Sequence, residues 1–222
     1  MKFYGFEGVF LVIFITSTYA AGAGEDAANI TPKIYSNMFV RKREEHRLLR
    51  THLKALEAAN SYEKQFKLLQ MAYEKILQII DESRKILKEN DPVNQELPTN
   101  GTEMESLFLL LENTCLFGDL LLHMPDISYK VLGKKSNWRR SIDYAWKTTM
   151  KYEFVIDEKT TEMLELFNQE INEDKRSEDF VNPYRQKDSE KDRDDIKSTK
   201  KPRKKLKRGP QLSGGQRTHD DL

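Results

Sequence analysis

The chain has 222 residues, of which 33% are charged and 38% hydrophobic, and its 37 Lys and Arg against 36 Asp and Glu leave a net charge of +1. That length suits one domain of moderate size with extensions, and the near-neutral balance gives no general case for nucleic-acid or membrane-surface binding. A single cysteine, Cys115, excludes an intrachain disulfide framework.

The N-terminus reads as a secretory signal. Lys2 precedes the apolar run Val9–Ile15, and small residues follow through Ala23. A short apolar core ahead of small residues is the pattern of a cleaved leader, here residues 1–20 with cleavage after about Ala20. Asn29-Ile30-Thr31 is an acceptor sequence for N-glycans, although Pro32 directly after it hinders modification.

Thr31 then has the character of an N-cap with Pro32 at the first helical position, and a helix follows to about Ala59. Apolar residues mark its ends: Ile34, Met38 and Phe39, then Leu48, Leu49, Leu53 and Leu56. The middle, Arg41–Arg47, is strongly charged. It reads as a solvated face with near-neighbour charge pairs, the alternative being an electrostatic docking surface. The second helix, about Tyr62–Lys88, has the clearest period in the chain. Tyr62, Phe66, Leu69, Tyr73, Ile76, Ile80, Ser83 and Leu87 alternate by four and three residues, a coiled-coil-like seam. Leu68, Leu77, Ile79 and Ile86 widen that seam into a bundle-core face. Its neighbour in sequence is of similar length, so an antiparallel intramolecular hairpin is expected.

Asn90-Asp91-Pro92 stops this helix, and a polar loop leads to Asn100-Gly101-Thr102, a second glycan acceptor sequence placed in a turn. Thr102 with Glu105 fits a capping box. The next stretch, to Met124, is apolar on every face from Leu107 to Leu122, so it must be surrounded by other elements. Glu112, Asn113, Thr114, Gly118 and Asp119 interrupt it, which makes it a poor membrane span and a good central helix. Within it Cys115 reads as a small buried apolar residue rather than a nucleophile. Asn113-Thr114-Cys115 is formally a rare glycan acceptor, but its setting argues for burial.

Pro125 opens a short helical segment, Asp126–Leu132, and Ser136 is placed to cap a helix carrying Trp138, Ile142, Tyr144, Ala145, Trp146 and Met150. Both tryptophans read as core anchors. A last helix, about Asp157–Asn172, presents Met163, Leu164, Leu166, Phe167 and Ile171. The fold class is therefore all-α: a bundle of five or six helices over 31–172 with a long antiparallel helical hairpin. Residues 173–222 form a charged tail too poor in apolar residues to order itself, although Phe180–Tyr184 is able to fasten its start to the bundle.

The tail carries three further signals. Lys200–Arg208 is basic; behind a secretory leader it reads as a solvated segment meeting acidic lumenal proteins or anionic headgroups, not nucleic acid. Leu212–Gln216 matches the ABC-type ATPase signature by coincidence, since no phosphate loop of the Gly-x-x-x-x-Gly-Lys-Ser/Thr type accompanies it. The terminal His219, Asp220, Asp221 and Leu222 resemble a KDEL-type retrieval signal, read by a receptor in the secretory pathway. Together with the leader they point to the lumen of the endoplasmic reticulum. The four histidines form neither a metal spacing nor a nucleophile–base pattern, so no cofactor is expected, and the mature chain is expected to lack a membrane span.

Several short stretches, in order, resemble the family of coiled-coil domain-containing protein 134. They are Ile34-Tyr35 with Met38-Phe39 and Arg41–Glu45; Glu112-Asn113-Thr114 with Phe117-Gly118-Asp119; Ser136-Asn137-Trp138; Asn182-Pro183; and Arg208-Gly209-Pro210. The resemblance implies a non-enzymatic protein of the secretory pathway that restrains mitogen-activated protein kinase (ERK and JNK) signalling. It also implies partnership with the lumenal Hsp90 chaperone, endoplasmin, and with the oligosaccharyltransferase and translocon machinery. In that setting it limits excess N-glycosylation and so supports receptor maturation. Glu112, Asn113, Asp119, Asn137 and Trp138 carry the resemblance and are the candidate partner-binding residues; Asn100 and Asn29 are the candidate glycan sites.

Overall fold

A computed structural model describes residues 31–87, 96–133 and 137–185. The leader, Asn29, the basic run and the retrieval tetrapeptide lie outside the described residues. Among those described there are six α-helices and no strand, in keeping with the all-α expectation.

Helix α1 (Pro32–Ala58) begins as its sequence dictates: Thr31 Oγ1 accepts from the amide of Ile34 at 3.3 Å, and Pro32 occupies the first turn. It ends in a Schellman turn. Asn60 takes a left-handed φ of 52°, and the amides of Ser61 and Asn60 donate to the carbonyls of Leu56 and Glu57 at 2.9 and 3.0 Å. Helix α2 (Tyr62–Ile86) starts directly after this turn, which sends the chain back along α1 as the expected hairpin. Gln65 ties the two together, donating to the Leu53 carbonyl at 3.2 Å. The centre of the α2 seam is buried through Leu69, Tyr73, Ile76, Ile80 and Ser83, while Tyr62 at its start and Ile86 beside its end remain exposed.

Helix α3 (Gly101–His123) packs against all five other helices and is the centre of the bundle. By length and composition it is apolar enough to cross a membrane, but 89% of that stretch is buried inside the protein. Its start differs from the capping box expected at Thr102 and Glu105. Asn100 is the cap: its Oδ1 accepts from the amides of Thr102 at 2.9 Å and Glu103 at 3.3 Å. An asparagine side chain reaches two free amides where the Thr102 hydroxyl would serve one, so the helix begins two residues earlier.

The remaining elements close around this axis. Helix α4 (Pro125–Leu132) follows α3 directly, and Tyr73 of α2 donates to Ser128 Oγ at 2.7 Å. Helix α5 (Trp138–Lys151) leads through a 3-10 turn to α6 (Glu158–Ile171). Asp157 caps α6 through Thr160, whose amide and hydroxyl donate to its two carboxylate oxygens at 3.0 and 2.7 Å. Both tryptophans are anchors, as expected: Trp138 is buried, and Trp146 Nε1 donates to the Leu164 carbonyl at 3.0 Å. Ser136, the expected cap of α5, lies outside the described residues.

Phe117 is the hub of the core. Its ring lies 4.8 Å from Tyr73, 5.9 Å from Trp138 and 5.8 Å from Phe167, so one aromatic cluster joins four helices. Gly118 beside it lets α6 approach. A Cβ there would stand 3.0 Å from Phe167 Cγ, closer than packed carbons normally come.

Candidate binding cleft

The charged middle of α1 is not wholly solvated. The apolar stripe that buries Tyr35 and Phe39 continues through His46, Leu49 and Leu53, and the helical period carries Arg43 and Arg50 along its edge. Lys42–Glu45 and Arg47–Glu44 do form the expected three-apart ion pairs, at 2.8 and 2.9 Å. Arg43 and Arg50 turn toward α3 instead, where the carboxylate of Asp119 is only 2% exposed. Arg50 Nη1 donates to Asp119 Oδ1 at 2.7 Å, and Arg43 Nη2 stands 3.9 Å from the same oxygen. Asp119 Oδ2 is buried with no hydrogen-bond partner among the described residues.

These groups form one wall of a cleft of about 370 Å³ between α1, the end of α3 and the start of α6. Tyr184 closes it from the segment after α6, its ring stacked on His123 at 3.9 Å. His123 Nδ1 donates to the Asp119 carbonyl at 2.9 Å. Burial pulls its pKa below the usual value, against the raising effect of the Asp119 charge. His46, one turn along α1 from Arg43, is pushed further down: burial dominates, and Arg43 and Lys42 add to it. It is therefore neutral, and its Nδ1 accepts from Arg43 Nη1 at 3.4 Å.

The segment after α6 is held to the bundle up to Arg185. Arg176 donates to the Gln169 and Glu170 carbonyls at 2.9 and 2.7 Å. Asn182, 5% exposed, donates to the Leu122 carbonyl at 2.9 Å. Arg185 pairs with Asp126 at 2.9 Å. The stretch Phe180–Tyr184 thus does what its apolar residues suggested, although its firmest bond is polar. Burial raises the pKa of Glu170 beneath this segment, with Arg185 and Arg176 opposing the rise.

The five residues singled out by resemblance do not share a surface. Glu112, Asn113 and Trp138 are buried, Asn137 is exposed at the start of α5, and Asp119 alone of the five lines the cleft. Asn113 Nδ2 donates to the Leu109 carbonyl at 2.8 Å, which removes it as a glycan acceptor in the folded state. Asn100 is exposed. Arg43, Arg50, Lys159 and Tyr184 line the cleft but were not among the candidate site residues, although Arg43 lies in the Arg41–Arg47 run whose alternative reading was a docking surface. Arg43 and Arg50 had a signal, lying in register beside the inward stripe of α1; Tyr184 belonged to the stretch expected to fasten the tail to the bundle, and Lys159 had none.

Chemically the cleft is a place for charged contacts. Cys115 is fully buried, its thiol pushed up to about 12 by burial, and so remains protonated. Among the described residues no three His, Cys, Asp or Glu side chains come together as a metal site.

Residues 23–213 match the family model described as "ERK and JNK pathways, inhibitor". The chain belongs to this family. Its relatives include coiled-coil domain-containing protein 134 of Mus musculus, 26% identical over 81% of this chain and 78% of that one. The protein of the same name in Xenopus tropicalis is 23% identical over 79% of this chain and 76% of its own length. These names describe coiled-coil and inhibitor proteins, not enzymes. No solved structure matches. The inhibitor family's match begins before α1 and runs past Arg185, so it embraces the whole bundle and its cleft.

Proposed function

We propose that this chain is a non-enzymatic, protein-binding module that restrains ERK and JNK signalling. The observation that carries the reading is the family match over residues 23–213. The cleft supports it from the chemical side: its side chains offer ionic and hydrogen-bonding contacts, while the one thiol is sealed and protonated. The test is re-expression of the full chain in cells lacking it, followed by phosphorylated ERK and JNK after stimulation. Lower phosphorylation on re-expression is the expected result; unchanged levels of both overturn the reading.

A second reading places the same module in the lumen of the endoplasmic reticulum, assisting endoplasmin and limiting its excess N-glycosylation, with effects on receptors that feed the kinase pathways. The leader-like run Val9–Ile15, the terminal His219–Leu222 and the exposed acceptor Asn100 favour it. Capture from crosslinked microsomes enriches endoplasmin or oligosaccharyltransferase subunits on this reading, and removal of His219–Leu222 increases secretion. Unchanged secretion with neither partner enriched favours a secreted modulator.

A further inference from the structure

Most charges in the cleft have short partners among the described residues; Arg43 has only long ones and Lys159 has no ion pair. Arg50 is paired with Asp119 and Arg47 with Glu44, while Asp157 caps α6. Among the described residues the nearest carboxylate to Arg43 is that of Asp119, at 3.9 Å, and its other polar contact is the neutral His46 ring at 3.4 Å. Its guanidinium side chain is nonetheless only 15% exposed. A largely desolvated guanidinium without a short anionic partner has N–H donors open to an anionic acceptor. Lys159, from the first turn of α6, makes no ion pair among the described residues and lines the same cleft. Val40, about half exposed, puts apolar surface in the same cleft, and the largely buried Met163 lines its floor.

We propose that the cleft docks an acidic peptide segment of a partner protein, with one Asp or Glu carboxylate held by Arg43 and Lys159 and an adjacent apolar side chain against Val40 and Met163. The proposal rests on the protein-binding reading above and names the surface it uses. Charge selects the class of ligand. The carboxylates of Glu44, Asp119 and Asp157 share the cleft with its cations, so the wall is too evenly balanced for the phosphate backbone of a nucleic acid, which needs a continuous basic stripe. A single carboxylate on an apolar stem matches the weakly paired Arg43, the unpaired Lys159 and the apolar surface beside them.

The test uses the full-length chain and a fluorescein-labelled peptide of alternating Glu and Leu, with an alternating Lys and Leu peptide as control. Saturable anisotropy with the acidic peptide alone is expected. The double variant Arg43→Gln/Lys159→Gln weakens it by about tenfold or more, since it removes both charge-assisted contacts to the carboxylate. Arg140→Gln, at an exposed cation of α5, leaves it unchanged. If the double variant does not fold, Lys159→Gln alone gives the reading, because that residue is exposed. Absence of saturable binding, equal weakening by Arg140→Gln, or binding of inorganic phosphate without the peptide each overturns the proposal. The double variant in the signalling assay keeps the two claims apart. Restraint retained with peptide binding lost removes the cleft as the docking surface and leaves the family activity standing. No restraint by the wild-type chain, with peptide binding intact, removes the signalling reading and leaves the cleft.

Discussion

At Asp119 the shortest ion pair of a buried carboxylate among the described residues is the one to Arg50, so the strength of the site depends on Arg50. Removing one member of a buried pair leaves the other desolvated and unmatched, which costs far more than the pair contributes when intact. Arg50→Ala is expected to destabilise the fold by about 3 kcal/mol, the lower end for such pairs because Arg50 is partly exposed. Arg50→Met combined with Asp119→Leu recovers most of that loss; urea unfolding of the three variants checks both statements. His46 gives a separate signature in pH. An unfolded histidine titrates near 6.5, whereas folded His46 titrates well below that. Between those values the unfolded chain binds the proton and the folded chain does not, so stability rises with pH through the window and is complete above about 6.5. His123 acts in the same direction, its pKa also lowered. Glu170 acts oppositely: its raised carboxyl gives stability that is lost as pH rises through its folded value. His46→Gln is therefore expected to flatten the dependence of Tm on pH between about 5 and 7, and an unchanged slope would show that His46 is not its source.

Among the elements, the start of α3 joins a helix cap to a glycan acceptor. Asn100 caps through Oδ1, and a glycan attaches through Nδ2, so glycosylation and capping do not compete for an atom. Asn100→Asp keeps an acceptor oxygen and adds a negative charge at a helix N-terminus, which is favourable there. Asn100→Ala loses the cap and about 1 kcal/mol. Thermal unfolding of unglycosylated protein is expected to rank Asp at or above wild type and Ala below. In cells both variants lose the part of any endoglycosidase-sensitive mobility shift that a glycan at Asn100 supplies. The helices themselves were legible because their signals are local: Thr31 with Pro32 at the start of α1 and the four-three period of α2 each act between near neighbours in the chain. The misread cap of α3 has a local cause as well. Asn100 and Thr102 are both competent caps two residues apart, and which one wins depends on the backbone conformation at Asn100, here φ −78° and ψ 124°.

For the whole molecule, the segment from Asn172 to Arg185 tests what belongs to the fold. A chain ending at Asn172 loses the buried Asn182 bond to Leu122 and the Tyr184–His123 stack. One buried hydrogen bond and one ring stack together amount to about 1–3 kcal/mol. Denaturant unfolding is expected to report that loss for the chain ending at Asn172, and none for a chain ending at Arg185. The amino-acid sequence by itself determined the all-α class, the hairpin and the burial of α3. An apolar circumference and a seven-residue period leave few other ways to keep those side chains from water. The tertiary structure alone decided the cleft. Arg43, Asp119, Lys159 and Tyr184 are far apart in the chain, and each taken singly is an ordinary polar or aromatic residue. They meet only because α1, α3, α6 and the segment after α6 pack at one end of the bundle. No local pattern encodes that meeting, since it follows from how the core residues of different helices fill space against one another.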